Sequence, residues 1–269
     1  MNQSGGTGAM IFIVISTAWS VGTICFIVLN STEKRWSQLL LAVSSVFIVQ
    51  IFLTQMETYF FGSAFADLTG FDIMMIVLAG LLTIMITGIL AIFLFRKTKQ
   101  ADDRQEAMEI NWSRFLWTAV LNGLFYMIIY FLFGYFVAWQ SAELRLFYTG
   151  STEMMSFTEK ILDNLKATPF IFPCQWIRGF LFTMTVLPFL RMRWKHKFDY
   201  HICIIAVFLC TTIGLIIPNF LFPDVVRWTH FREMFSSMLL FGCLSAVLTT
   251  RSVLLQKKER KERRCENIN

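Results

Sequence analysis

Residues 73–95 read IMMIVLAGLLTIMITGILAIFLF, a run without a charged side chain that is apolar on every face of a helix. At a rise of 1.5 Å per residue, about twenty residues cross the ~30 Å hydrocarbon core of a bilayer. A membrane-spanning strand would be shorter and would alternate apolar and polar residues. This stretch therefore predicts a transmembrane α-helix.

Runs of the same kind recur along the chain. The seven runs predicted to span a membrane are 9–29, 36–56, 73–95, 115–138, 169–190, 201–221 and 229–250. The Gly and Pro residues inside them are compatible with spanning helices, because neighbouring helices satisfy the freed backbone groups. The chain is therefore predicted to be all-α, a polytopic membrane protein whose bundle of seven transmembrane helices forms a single domain over 1–250. A basic cytoplasmic tail at 251–269 follows this domain.

The composition supports this class of protein. Hydrophobic residues make up 56% and charged residues 16% of the 269 residues, and the mean hydropathy is +0.58, whereas soluble domains carry about 25% charge. These values exclude a cytosolic enzyme, a secreted disulfide-rich domain and a disordered chain. The connections between the runs are too short to fold independently, and no phosphate-binding G-x-x-x-x-G-K-[ST] loop occurs. We therefore expect no attached catalytic domain, no cofactor and no resident metal.

The distribution of Lys and Arg predicts the orientation in the membrane. If the N-terminus lies outside, 18 of the 24 basic residues fall in inner segments and five in outer segments, and Arg178 lies within the fifth run. Cytoplasmic loops carry the excess of basic residues. This predicts an N-terminus outside and a C-terminus inside a plasma membrane, and the compact loops and abundant Phe and Ile favour a bacterial one.

Two segments outside the runs have recognisable patterns. Ser156 to Glu159 matches a capping box, and apolar residues follow at helical spacing, which predicts a short amphipathic helix at about 156–166 on the outer surface. This helix either packs over the bundle or covers a cavity as a lid. The clustered cations of the tail 251–269 either bind anionic lipid or only set the topology. Besides the bilayer, a protein partner subunit is compatible with the sequence, whereas nucleic-acid binding is not expected.

Arg178 interrupts the otherwise apolar fifth run. An Arg at the centre of a membrane helix costs about 2.5–3.5 kcal/mol on insertion scales, so it should face the bundle and find a partner. Glu57 at the end of the second run and Glu233 near the start of the seventh reach a similar depth. His230 lies three residues before Glu233, on the same helix face. The sequence thus predicts a polar cluster that opens to the outer side.

Gln55 and Gln175 are the expected hydrogen-bonding neighbours of this cluster, and three interpretations of it are open. In one, the cluster is a structural salt bridge in a non-catalytic membrane subunit or scaffold. In the leading one, it binds or transports a small anionic or zwitterionic solute or a lipid headgroup, because Arg holds carboxylate or phosphate by a two-pronged contact. The third is an intramembrane metal-dependent enzyme with His230 and Glu233 as ligands, although a zinc site needs three or four ligands and a neighbouring Arg repels the cation.

Overall fold

The computed structural model describes residues 5–31, 33–61, 68–95, 110–196, 198–218 and 222–266. Within these ranges the regular structure is helical, and the only β-type pairing is an isolated bridge between Ser31 and Trp194. The α-helices are α1 (Gly5–Asn30), α2 (Arg35–Phe47), α3 (Leu53–Phe61), α4 (Gly70–Phe95), α5 (Trp112–Phe133), α6 (Ala142–Thr149), α7 (Phe157–Ala167), α8 (Ile171–Arg191), α9 (Asp199–Ile213) and α10 (Asp224–Glu266). The predicted all-α class is confirmed.

Among the described residues, six helical stretches are long and apolar enough to cross a membrane. They are Ala9–Asn30, Arg35–Phe60, Gly70–Phe95, Trp112–Ala138, Asp199–Ile216 and Asp224–Arg251. A seventh span is reached when α8 is taken together with α7, from which it is bent by 95°. Helix α8 falls short by itself because Gln175 and Arg178 interrupt its apolar sequence. Six of the seven predicted runs thus coincide with such stretches, and the fifth coincides with α8.

A π-helical turn, Ile48–Phe52, joins α2 to α3 within one continuous stretch. Such a turn places an extra residue in the helix and leaves backbone carbonyls without their usual partner. Here the Thr211 hydroxyl of α9 donates a hydrogen bond of 3.3 Å to the carbonyl of Val49. Because the extra residue rotates everything that follows, this turn decides which side chains of α3 face the bundle.

Helices α5 and α8 approach closely at two glycines. A Cβ atom on Gly179 would lie 2.4 Å from the Cβ of Tyr126 and 2.9 Å from the Cα of Gly123. A Cβ on Gly123 would lie 2.7 Å from the carbonyl oxygen of Trp176. Small residues allow membrane helices to pack backbone against backbone. This contact fixes α8 beside α5 and turns Arg178, the neighbour of Gly179, into the bundle.

An aromatic core lies on the next turns of the same helices. The Tyr126 ring contacts Phe182 of α8 at 5.2 Å and Phe241 of α10 at 5.0 Å, measured between ring centroids. Phe241 also stacks on Phe208 of α9 at 5.4 Å. Rings at these distances attract each other beyond simple area burial. Tyr126 thus holds α8 and α10 at a common level of the bundle.

The segment before α8 contains the predicted short helix. Ser156 caps α7, and both hydrogen bonds of the capping box with Glu159 are present. Phe157 stacks on Phe136 at the end of the α5 stretch, at 5.6 Å between centroids. Leu162 and Leu165 are half exposed. Helix α7 therefore touches the bundle with its first turn and leaves apolar side chains uncovered.

The last helix continues past the predicted span. Helix α10 extends to Glu266, so the predicted basic tail begins as a continuation of this helix. Residues 267–269 and the side chains beyond Arg251, on which the prediction of anionic-lipid binding rests, lie outside what the structure describes.

Candidate functional site

Arg178 is held by two side chains through one of its terminal nitrogens. Its Nη1 lies 2.7 Å from Oε2 of Glu57 in a salt bridge, and it donates a hydrogen bond of 2.8 Å to Oε1 of Gln175. Gln175 in turn donates from Nε2 to Oε1 of Glu57 at 3.0 Å. The three residues form a closed ring of polar contacts between α3 and α8. Of the two acids considered from the sequence, Glu57 is the direct partner.

The edge of the Arg178 guanidinium that carries Nε and Nη2 has no hydrogen-bond partner among the described residues. The side chain is only 1% exposed. The guanidinium lies over the rings of Tyr126 and Phe182, at 5.8 and 5.7 Å from their centroids. Cation–π contact at this range is attractive but does not satisfy N–H donors. Arg178 therefore has two adjacent, buried nitrogen donors, Nε and Nη2, that are unpaired among the described residues.

A second polar group lies on α10. His230 and Glu233 face the same side of the helix, with Nδ1 of His230 3.8 Å from Oε2 of Glu233. The hydroxyl of Tyr148 on α6 lies 2.9 Å from Nε2 of His230. Tyr148, His230 and Glu233 thus form a row of side chains, with the exposed ring of Tyr148 at one end and the buried carboxylate of Glu233 at the other.

The two groups are linked through Tyr126. Its ring centroid lies 5.8 Å from the guanidinium carbon of Arg178 and 5.0 Å from the ring centroid of Phe241, which lies eight residues after Glu233 on α10. We call Arg178, Glu57, Gln175, Tyr126, Glu233, His230 and Tyr148 the Arg178 cluster. It contains one guanidinium and two carboxylates, and His230 adds a positive charge when protonated.

Helix α6 is fixed in position by a buried arginine that the sequence did not single out. Arg145 donates from Nη1 to the carbonyl of Trp139 at 2.6 Å and from Nε to the carbonyl of Thr152 at 2.9 Å. These bonds tie the chain before α6 to the chain after it. They hold α6 against the start of α10, where Tyr148 meets His230.

Of the predicted site residues, Arg178, Glu57 and Gln175 contact one another and His230 pairs with Glu233. Gln55 is placed elsewhere. Residues two apart on a helix differ by about 200° in direction, so Gln55 and Glu57 cannot share a face of α3. Gln55 borders a cavity of about 230 Å³ between α3 and α4. The residues lining this cavity are Phe52, Gln55, Met56, Tyr59, Ile73, Met74 and Val77.

Sequence reasoning also missed the aromatic members of the cluster and another buried arginine. Tyr126 lies in an apolar run and Tyr148 in a connecting segment, and each is one of several tyrosines in the chain. No local sequence pattern identifies either of them as a member of the cluster. Arg227, 2% exposed, donates to the carbonyls of Leu215 and Ile216 at 3.2 and 2.6 Å. Its position three residues after Asp224, with which it forms a 2.7 Å salt bridge, was the available signal.

His230 and Glu233 are the two side chains of the cluster that were predicted as metal ligands. Within the part of the chain that the structure describes, no three His, Cys, Asp or Glu side chains are grouped so that they could hold a metal ion. His230 and Glu233 provide two ligands where a zinc site needs at least three from the protein.

No protein-family model, curated protein or solved structure matches this chain. Function is therefore inferred from the chemistry of the Arg178 cluster.

Proposed function

We propose that this chain is a membrane protein that binds a small anionic or zwitterionic solute, or a lipid headgroup, at the Arg178 cluster, and that it binds it from the outer side. If the protein also transports the bound molecule, proteoliposomes that contain it should take that molecule up. The apolar helices are those of an integral membrane protein, and the Arg178 cluster places a buried guanidinium among them.

The observation that carries the proposal is the free edge of the Arg178 guanidinium. Nε and Nη2 form the pair of parallel donors that bind a carboxylate or phosphate in a bidentate manner. Leaving buried donors unsatisfied costs about 1–3 kcal/mol each, and more when the group is charged. A ligand oxyanion placed on this edge would remove that cost, and Glu57 and Gln175 would hold the guanidinium in the required orientation.

The alternative is a structural salt bridge in a scaffold or subunit. The closed ring of Arg178, Glu57 and Gln175 favours it, because each member bonds to the other two. In that case the protein should gain no stability from added anions. Replacing both charges together should then restore the stability that is lost by replacing either one.

We further propose seven membrane spans, with the N-terminus outside and the C-terminus inside a plasma membrane, most simply a bacterial one. The count of seven rests on α8, whose buried face contacts the neighbouring helices. The orientation rests on the excess of Lys and Arg in the segments assigned to the inside. A reporter that is active only in the cytoplasm, fused after residue 269, should be active; an inactive fusion of a folded protein would reverse the orientation.

Binding is tested on the purified protein in detergent. We expect inorganic phosphate or acetate to raise the unfolding temperature of the wild type, with a dependence on concentration that defines a Kd. Arg178→Lys keeps the charge but removes the paired donors, so it should abolish this stabilisation while eluting as a folded species. Arg232→Gln is the matched control, because Arg232 is exposed on α10 next to the cluster.

The two interpretations then give opposite results. Stabilisation by either anion that is lost in Arg178→Lys and kept in Arg232→Gln supports the binding site. No stabilisation of the wild type, or equal stabilisation of all three proteins, overturns it. Recovery of wild-type stability in Arg178→Met/Glu57→Gln, without any response to anions, would favour the scaffold.

A further inference from the structure

Two oppositely charged groups of the Arg178 cluster have polar atoms that no described side chain contacts at hydrogen-bond distance. Arg178 retains free donors at Nε and Nη2. The Glu233 carboxylate, in a residue that is 7% exposed, has His230 Nδ1 as its nearest ion-pair partner at 3.8 Å, which is beyond hydrogen-bond range. The two groups form no direct salt bridge with each other. A buried cation and a buried anion are thus held apart within one cluster.

The positions of the two residues can be compared through the aromatic core. Phe182 lies four residues after Arg178, and Phe241 lies eight residues after Glu233. Both rings contact Tyr126, and their own centroids lie 6.2 Å apart. At 1.5 Å per residue, Arg178 lies about 6 Å before Phe182 along α8, and Glu233 lies about 12 Å before Phe241 along α10. Glu233 is also close to Tyr148, whose hydroxyl contacts His230.

The charge balance of the cluster makes a simple anion bind more weakly than a ligand that also carries a positive charge. Glu57 already neutralises Arg178 across a 2.7 Å salt bridge. An added anion on the free edge of Arg178 would therefore meet the field of two carboxylates, which repel it. A ligand that also carries a positive charge would offset Glu233 and avoid this cost.

We infer that the site takes a zwitterion, in which an oxyanion binds Nε and Nη2 of Arg178 and an ammonium group a few bonds away binds the carboxylate of Glu233. This inference rests on the proposed function and names its ligand class. An ammonium group donates hydrogen bonds, which the carboxylate of Glu233 can accept. Such a ligand is either a free amino acid-like solute or the headgroup of an aminophospholipid.

The test compares two probes that differ only in the ammonium group. Phosphoethanolamine and ethyl phosphate are titrated against the full-length protein in detergent, with unfolding temperature and calorimetry as readouts. We expect phosphoethanolamine to bind at least about tenfold more tightly, the value of one charge-assisted hydrogen bond in a buried site. Glu233→Gln should remove this preference and leave ethyl phosphate binding within about twofold.

Two further variants keep the result interpretable. Glu233→Asp retains the charge and should keep part of the preference, so it replaces Glu233→Gln if the latter does not fold. Glu143→Gln is the matched control, because Glu143 is exposed on α6 near the same end of the bundle and contacts Ser141. It should bind both probes as the wild type does.

The outcomes separate this inference from the proposed function. If the wild type binds both probes equally, and Arg178→Lys abolishes both, the anion site stands and the zwitterion is excluded. If the wild type binds neither probe, and nanodiscs give no stabilisation either, both proposals fail. A preference for phosphoethanolamine that survives in Glu233→Gln overturns the role of Glu233.

Nanodiscs distinguish the two sources of the zwitterion. If the ligand is a headgroup, discs of phosphatidylethanolamine should stabilise the wild type more than discs of phosphatidylglycerol, and Glu233→Gln should abolish the difference. If the ligand is a free solute, the two lipids should be equivalent, and phosphoethanolamine should still stabilise the protein in phosphatidylglycerol discs.

Discussion

Oε2 of Glu57 lies 2.7 Å from Nη1 of Arg178, although α3 and α8 are far apart in the chain. The pair is asymmetric, because Arg178 is 1% exposed whereas the Glu57 side chain is 25% exposed. The cost of burial therefore falls mainly on the guanidinium. Removing the carboxylate leaves that charge buried, whereas removing the guanidinium leaves a carboxylate that water can reach.

This asymmetry predicts unequal effects of the two single replacements. Glu57→Gln should lower the free energy of unfolding by about 2 kcal/mol, less than the 3–5 kcal/mol typical of a fully buried pair because Glu57 is partly exposed. Arg178→Met should cost less than Glu57→Gln, since it removes the buried charge. Thermal and denaturant unfolding in detergent measure both. A larger loss in Arg178→Met than in Glu57→Gln would contradict the asymmetry.

Close packing of α5 and α8 makes Gly179 intolerant of a side chain. Gly179→Ala places a methyl group 2.4 Å from the Cβ of Tyr126, so the two helices must separate. We expect a loss of stability of about 2 kcal/mol, the usual cost of overpacking. Gly134→Ala is the control, because nothing lies within 4 Å of a Cβ there. Equal stabilities of the two variants would show that the helices adjust without cost.

Arg227 binds carbonyl groups at the end of the helical stretch Asp199–Ile216. It bonds the carbonyls of Leu215 and Ile216, where a positive charge is favoured by the helix dipole. Arg227→Gln should lower the free energy of unfolding by about 1–3 kcal/mol, because two bonds from a charged donor are lost. Arg232→Gln, on the exposed face of the same helix, should change it by less than about 0.5 kcal/mol. If both variants lost similar stability, Arg227 would not act as a cap of this helix end.

The capping box of α7 predicts a dependence on pH. The Ser156 hydroxyl and the Ser156 backbone N–H donate to Glu159 at 2.7 and 2.8 Å, and these bonds hold the pKa of Glu159 below its usual range. Because the pKa is lower in the folded state, the stabilisation is present above the unfolded pKa and is lost as the pH falls through the folded one.

Hydrogen-exchange protection of the α7 amides measures this effect. Protection should fall between about pH 6 and pH 3, around the ordinary pKa of Glu. Ser156→Ala should reduce protection at neutral pH by an amount corresponding to about 1 kcal/mol and should flatten the pH profile. Amides of α5, which has no acidic residue in its first turn, serve as the internal reference. An unchanged profile in Ser156→Ala would show that the capping box does not stabilise α7.

Much of the architecture follows from local sequence. The lengths of the apolar runs predict the spanning helices, because crossing hydrocarbon requires about twenty apolar residues wherever they stand in the chain. The capping box at Ser156 is local for the same reason, since both of its bonds join residues three apart. The need of Arg178 for a partner also follows from the sequence, because it expresses the cost of a charge in an apolar surrounding.

Tertiary structure decided which partner Arg178 has and what its other donors face. The rotation of the helices about their axes decides that Arg178 pairs with Glu57. It also turns Gln55 away from Arg178 and brings Tyr148 into contact with His230. That rotation is set by the π turn at Ile48–Phe52 and by the contact of Gly123 with Gly179. These are packing interactions between distant parts of the chain, and hydropathy, which depends only on neighbouring residues, carries no information about them.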